Sequence, residues 1–419
     1  MNSEWKEYKL GEAPLEIIDG DRGKNYPSQS EFSEKGYCLF LSTKNVRYDG
    51  FDFTDCQFVS KEKDDKLRKG KLKRFDIVLT TRGTIGNIGF YDKTVEHEHI
   101  RINSGMVIIR PTGKLDPIFN YYTFRKLQGT FNSFVSGSAQ PQLPIRDLNK
   151  LTINLPPLPE QKKIAEILSS LDDKIELNNK MNKTLEEMAQ AIFKQWFVDF
   201  KFPDENGNPY KSSGGKMIQS ELGEIPDGWC VGKLGDIVEI NPKTDLKKGT
   251  RAKYIEMKSL SNSQSIISNI IEREFTGSGS KFVNHDTLMA RITPCLENGK
   301  AGYVDFLEES EIGWGSTEFN VLRAKNKIPK EYCYLLSRND EFRKYAIGNM
   351  NGSSGRQRVP GTILKDFKVV IPIEKVFRLF ENHSGCIMNQ ISKNRIENIA
   401  LTKTRDELLP RLMSGELRF

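Results

Sequence analysis

The sequence predicts an α+β chain in which two related domains are separated by an antiparallel two-helix coiled coil, with pseudo-two-fold symmetry. Three observations predict this fold. The chain repeats itself, each repeat is built from short apolar runs of strand length, and each repeat closes on a long heptad-patterned segment. The expected boundaries are 1–157 for the first globular domain, 158–202 for a central helix and 203–225 for a linker. Residues 226–372 then form the second domain and 373–419 the distal helix.

Each half opens on the same pattern, Trp5 with Leu10-Gly11 and Trp229 with Leu234-Gly235, followed by a strand-like segment at Leu15–Ile18 and Ile237–Ile240. Phe75–Leu79 runs toward Arg82-Gly83, and His285–Met289 runs toward Arg291; both read as a buried strand leading into a basic loop. A strand ending in arginine follows in each half, Met106–Arg110 and Phe319–Arg323. A helical stretch comes next, then a polar glycine loop at Gly137–Pro144 and Gly352–Pro360. From there the halves align without a gap: Pro144 and Pro360, Leu148 and Leu364, and Pro156 and Pro372 share an offset of 216 residues. The apolar runs Leu151–Leu155 and Phe367–Ile371 precede the last of these prolines.

In the closing segment Ile164, Leu168, Leu171, Ile175, Asn178, Asn182, Leu185, Ala189, Ile192 and Trp196 keep a 4-3 spacing. The same offset gives Phe380, Ser384, Ile387, Ile391, Asn394, Asn398, Leu401, Arg405, Leu408 and Leu412. Apolar residues every 3.5 positions make a coiled-coil stripe, and a buried asparagine sets register by pairing with another polar seam group. Asn178, Asn182, Asn394 and Asn398 are therefore expected to face one another. The first helix should start near Pro159-Glu160, where proline suits the first turn and glutamate complements the helix N-terminus, and stop before Pro203. The turn-forming run Pro203–Gly215 then reads as the interdomain linker. About 33 residues from the first to the last seam position, Ile164 to Trp196, span roughly 50 Å at 1.5 Å per residue.

Several classes of activity find no support. No run of 18 apolar residues and no signal-like N-terminus is seen, so a cytoplasmic chain is expected. The six cysteines form no C-x-x-C pair, and dispersed thiols fit a reducing compartment. There is no phosphate-binding G-x-x-x-x-G-K-[ST] loop. Asp227 with Asp245-Leu-Lys247 fits only a loose nuclease pattern, and His97-Glu-His99 lacks a third metal ligand and reads as a solvated loop. No catalytic centre and no metal are expected.

The net charge of +7 allows an anionic partner, so the placement of the cations decides. Four polar, glycine-bearing loops stand out, Arg82–Gly86, Gly137–Gln142, Arg291–Lys300 and Gly352–Arg358, and three of them carry arginine. Glycine admits close backbone approach, hydroxyls and N–H groups suit phosphate, and Arg, Lys, Gln and Asn reach base edges. The candidate double-stranded-DNA contacts are Lys44, Arg82, Thr84, Ser138, Gln140 and Gln142 in the first half. In the second they are Lys258, Arg291, Asn298, Lys300, Arg356, Gln357 and Arg358. A self-sufficient metal-dependent nuclease and a protein–protein scaffold are the rival readings.

At these residues the chain resembles the specificity subunits of type I restriction–modification systems, over essentially its whole length. The resemblance rests on Gly137–Leu143 and Leu155–Leu168, then on Ala290–Lys300, Gly315–Phe319 and Gly355–Arg358. It departs at Ile373–Phe377, which replaces the Pro-Leu-Pro-Glu-Gln type of helix start. The resemblance implies two target-recognition domains, each reading half of an asymmetric, interrupted DNA site. It also implies two modification subunits that bind S-adenosylmethionine and methylate adenine, and restriction subunits that use ATP and Mg2+. No cofactor is expected on this chain itself.

Overall fold

A computed structural model describes residues 5–137, 141–353 and 355–418. The chain forms two compact units, Met1–Lys174 with Ala400–Phe419, and Ile175–Ile399. Each unit therefore holds one globular domain and a stretch of both long helices.

The duplication expected from sequence recurs in the strand pairing. In the first unit a four-stranded antiparallel sheet has the order Leu15–Asp19, Met106–Pro111, Ile77–Thr80, Ile88–Phe90. In the second the order is Val238–Ile240, Phe319–Ala324, Thr287–Ala290, Ala301–Tyr303. The inner strands of both sheets are largely apolar because residues on both faces are buried, and alternate residues enter different cores. Ile77, Leu79, Val107 and Ile109 pack on the helical side, whereas Val78, Met106 and Ile108 pack on a second layer with Leu39 and Ile100. The second unit divides in the same way, Met289 and Leu322 to one side and Leu288, Phe319 and Val321 to the other.

That second layer is a small mixed sheet. It pairs Cys38–Leu41 parallel to Ile100–Ile102 in the first unit, and Arg251–Ile255 parallel to Gly313–Gly315 in the second. Each domain is closed by its first and last strands, Lys6–Lys9 on Thr152–Leu155 and Cys230–Lys233 on Lys368–Ile371.

A buried ion pair recurs at the same place in both sheets. Arg110 donates to Asp76 from Nε at 2.9 Å and Nη2 at 2.6 Å; Arg323 donates to Asp286 from both nitrogens at 2.7 Å. Burial pushes the Asp286 carboxyl up, against the pull of the Arg323 guanidinium. The residue before each aspartate takes a left-handed backbone, Phe75 at φ 72° and His285 at φ 70°.

The long helices run Leu158–Phe197 and Glu374–Ser414, as the heptads predict. In the second unit they are antiparallel: Asn178 meets Asn398, Asn182 meets Asn394, and Trp196 meets Phe380. Asn178 Nδ2 donates to Asn398 Oδ1 at 2.9 Å and Asn394 Nδ2 to Asn182 Oδ1 at 2.8 Å, so all four seam asparagines face the opposite helix. In the first unit Ile164, Leu168, Leu412 and Met413 share the domain core, and Asp172 accepts from both Tyr122 Oη and Arg405 Nη1 at 2.6 Å.

Where the second helix departs from the Pro-Leu-Pro-Glu-Gln start, the packing changes with it. In the first copy Gln161 is buried, accepting from Asp116 N–H at 2.8 Å and donating to Pro156 O at 2.8 Å. Its counterpart 216 residues on, Phe377, is buried among Phe197, Tyr332 and Phe380 instead. Both solutions fix the helix start, one with an amide and the other with a ring.

The linker reading of 203–225 needs correction, because this segment is folded as part of the second unit. Met217–Ser220 and Gly223–Pro226 form a hairpin, Tyr210 stacks on Phe202 at 4.7 Å, and Phe202 stacks on Trp229 at 4.9 Å. Phe202 and Ile225 are buried in that unit's core, which a tether in solvent would not permit.

Candidate nucleic-acid interface

The polar loops fall at the ends of the central sheet strands, where the chain leaves the buried layer. In the first domain the strand Ile77–Thr80 runs out through Thr81 and Arg82, both of whose N–H groups donate to Gly105 O, at 2.8 and 3.1 Å. Leu143 N–H returns to Thr81 O at 2.9 Å, and Arg82 bridges Gln142 across this junction. Arg82 Nη2 also donates to Gln142 Oε1 at 3.2 Å. Thr84 Oγ1 donates to Thr43 O at 3.1 Å, which brings the exposed Lys44 beside the same loops. A Cβ on Gly105 would stand 3.0 Å from the Thr43 methyl and 3.7 Å from Arg82 Cβ, a measure of how closely the three segments converge. Lys44, Arg82, Thr84 and Gln142 therefore form one rim. Ser138 and Gln140 lie outside the described residues.

The second domain repeats the junction with different side chains. Arg291 N–H donates to Glu318 O at 3.0 Å, Val359 N–H donates to Arg291 O at 2.9 Å, and Ile292 bridges Arg358. Gln357 N–H donates to Thr293 Oγ1 at 3.2 Å, so the Arg291 and Gly352 loops are tied together. Arg358 is held by Glu318 through Nε at 2.8 Å and Nη2 at 2.7 Å; this hydrogen-bonded guanidinium holds the Glu318 carboxyl below its usual range. Arg291 Nε is buried without a partner, and the side chain lines a cleft of about 330 Å³ with Lys243, Thr244 and Lys281. Arg356 is exposed.

Three further candidates sit at the edge of this region. Lys300 Nζ donates to Met257 O at 3.3 Å, which places it against the turn bearing Lys258; Asn298 is exposed on the intervening loop. Lys258 is exposed and pairs with Glu256 at 2.6 Å. Its turn, Met257–Ser259, follows a parallel strand as Thr43–Asn45 does, so Lys44 and Lys258 occupy matching positions.

Sequence reasoning missed part of the rim. In the first domain exposed Arg22, Lys24, Arg68 and Lys69 continue it: Arg68 N–H donates to Asp21 Oδ2 at 2.8 Å, and Arg22 Nη2 to Ser104 O at 3.4 Å. The basic run Arg68–Arg74 was the available signal. Only part of it is open, because Lys71 pairs with buried Asp64 and Arg74 donates to Asp92 O and Val95 O. Glu318 and Lys243 were also missed. The His97–His99 loop is only partly solvated: Glu96 and Glu98 are exposed, whereas the half-buried His97 lies 5.1 Å from Phe53 and His99 4.3 Å from Tyr37. Among the described residues no group of three His, Cys, Asp or Glu is arranged to hold a metal, and no helix is long and apolar enough to cross a membrane.

A family model described as the type I restriction modification DNA specificity domain matches twice, at residues 2–187 and 226–401. The chain belongs to this family. The two specificity-domain matches coincide with the two copies of the junction just described. Among curated relatives, the chain is 23% identical to the type I restriction enzyme HindI specificity subunit of Haemophilus influenzae, covering 99% of this chain and 100% of that one. It is 27% identical to the MjaIX specificity subunit of Methanocaldococcus jannaschii over 82% of this chain and 77% of the relative. Among solved structures, the type I restriction–modification S subunit from M. genitalium superposes with a TM-score of 0.56 at 15% identity, covering 98% and 96% of the two chains. That likeness supports the specificity-subunit fold, with its two domains and long helices.

Proposed function

We propose that this chain is the DNA-reading subunit of a type I restriction–modification complex. Each domain reads one half of an interrupted, asymmetric double-stranded target through its loop junction. The observation that carries this reading is the recurrence of one hydrogen-bonded junction in both specificity domains, each bearing a cation-rich rim with its own side chains. Backbone phosphates suit the matching lysines Lys44 and Lys258, and base edges suit the arginines and glutamines. The rival nuclease and scaffold readings gain no support from the relatives.

Chemistry is assigned to partners. Two modification subunits binding S-adenosylmethionine methylate adenine at the bound site, and restriction subunits using ATP and Mg2+ join for cleavage; the chain itself holds no cofactor and acts in the cytoplasm. In the second unit Leu177, Met181 and Met188 are exposed at 52, 39 and 48% on one face of the first long helix. Their spacing forms an apolar stripe suited to docking a modification subunit. The experiment is to map adenine methylation genome-wide with the gene present and deleted. An interrupted motif should vanish on deletion, and methylation unchanged by deletion would refute the reading.

A further inference from the structure

Four backbone positions coincide in the two domains and share no residue type. Thr81, Arg82, Gly105 and Gln142 in the first correspond to Arg291, Ile292, Glu318 and Arg358 in the second. The correspondence is fixed by main-chain bonding: the N–H of Thr81 or Arg291 donates to Gly105 O or Glu318 O, and the carbonyl of Thr81 or Arg291 accepts from Leu143 or Val359. The bridges Arg82 to Gln142 and Ile292 to Arg358 complete the frame. A few residues away the same sheet keeps its buried ion pair unchanged, Asp76 with Arg110 and Asp286 with Arg323. Structural demands thus preserve identity within this frame, whereas the four positions differ at each place; in the first domain Thr81 and Gly105 are buried and Arg82 and Gln142 reach solvent, and in the second all four are partly exposed.

We propose that the solvent-reaching side chains of this frame, Arg82 steadied by Gln142 in the first domain and Arg291 beside the Glu318–Arg358 pair in the second, are the base-reading groups, and that their different placement assigns different bases to the two half-sites. The inference rests on the DNA-reading function above and names its determinants. In the first domain Arg82 is steadied by Gln142 Oε1 and keeps the rest of its fork free for a base edge. In the second, Arg358 has both Nε and Nη2 engaged by Glu318, which makes that pair a backstop. Arg291, with Nε unpartnered beside it, is the reading fork. An arginine already held in orientation loses less freedom on binding, and its planar fork matches the O6 and N7 acceptors of guanine.

The test uses the complete system in cells, mapping methylated sites for Arg82→Ala and Arg291→Ala, with Arg82→Lys and Arg291→Lys as charge-retaining partners. Each substitution should relax one base position in one half-site, lowering discrimination there by about fivefold to a hundredfold and leaving the other half unchanged. The lysine variants should relax the same position while methylation of the original sites persists. Uniformly weaker methylation with an unaltered motif would overturn the inference, since it marks a phosphate contact or a folding defect. Relaxation of both halves by one substitution would overturn it too. If the unmodified system shows no interrupted motif, the DNA-reading function itself fails; an interrupted motif that survives all four substitutions sinks only the assignment of these positions.

Discussion

At the scale of single residues, the charged groups of this chain divide into those that hold the frame and those offered to a partner. Asp286 belongs to the first kind. Its carboxylate is 1% exposed and carries two hydrogen bonds from Arg323, so Asp286→Ala strands a guanidinium that is itself largely covered. Breaking such a pair costs about 3–5 kcal/mol, and thermal unfolding of the variant should show the second unit melting earlier. An unchanged melting profile would contradict this role. Glu331 gives a prediction with a pH sign. It is buried, accepts from Ser384 Oγ, and burial pushes its carboxyl above the ordinary value. A raised folded-state value means that the folded chain binds this proton more readily than the unfolded one. The resulting cost is present above the folded value and absent below the unfolded value near 4.5. Glu331→Gln should therefore stabilise the second unit at pH 7 and make little difference near pH 4, as paired melting curves at the two values would reveal. Stabilisation confined to pH 4 would reverse the argument.

At the scale of elements, the long helices show why some of the fold was legible and some was not. A heptad seam is written locally, every three or four residues, so both helices and their facing asparagines could be read directly from sequence. The segment after the first helix carries no such period. Phe200, Phe202, Tyr210 and Ile225 stand apart among turn formers, and only contact with Trp229 and the core shows that they are not tether. The rim behaves similarly. The loops were recognisable by composition, but the bridge from Arg82 to Gln142 spans 60 residues, and Glu318 was visible only as part of a motif until Arg358 was found bound to it. The seam also yields a test. Asn178 Oδ1 and Asn182 Nδ2 are buried without partners, so the asparagines are costly where they stand. Replacing Asn178, Asn182, Asn394 and Asn398 together by Leu should keep the helices folded, with a melting temperature at or above that of the parent, while loosening register. Loss of helical circular dichroism at ambient temperature would show instead that the asparagines hold the helices together.

At the scale of the whole molecule, function divides between two readers that are each complete in hydrogen bonding. The second domain starts just before Cys230–Lys233 and ends with Lys368–Ile371, and these two strands pair with each other. Its junction, from Arg291 through Glu318 to Arg358, lies entirely between them. A transplant of residues 226–372 therefore carries its own closing strands and its own reading frame. The ties that remain with the host are aromatic and polar: Trp229 packs against Phe197, Phe200 and Phe202 of the retained chain and Tyr332 against Phe377, while Glu186 accepts from Ser265 N–H and Tyr334 Oη, Glu331 accepts from Ser384 Oγ, and Arg395 donates to Asp305. A donor domain that supplies the same aromatic and polar partners at those places should fold on this host. Replacing residues 226–372 with the matching domain of another specificity subunit, and mapping methylated adenines, should change one half of the interrupted motif and leave the other as it was. On the proposed reading the retained half is the one read by the rim around Lys44, Arg82 and Gln142, which the exchange does not touch. If both halves changed, reading would be shared between the domains; if neither changed, it would lie outside 226–372. Either result would end the two-reader description, because each junction would then be a fold feature without a base assigned to it.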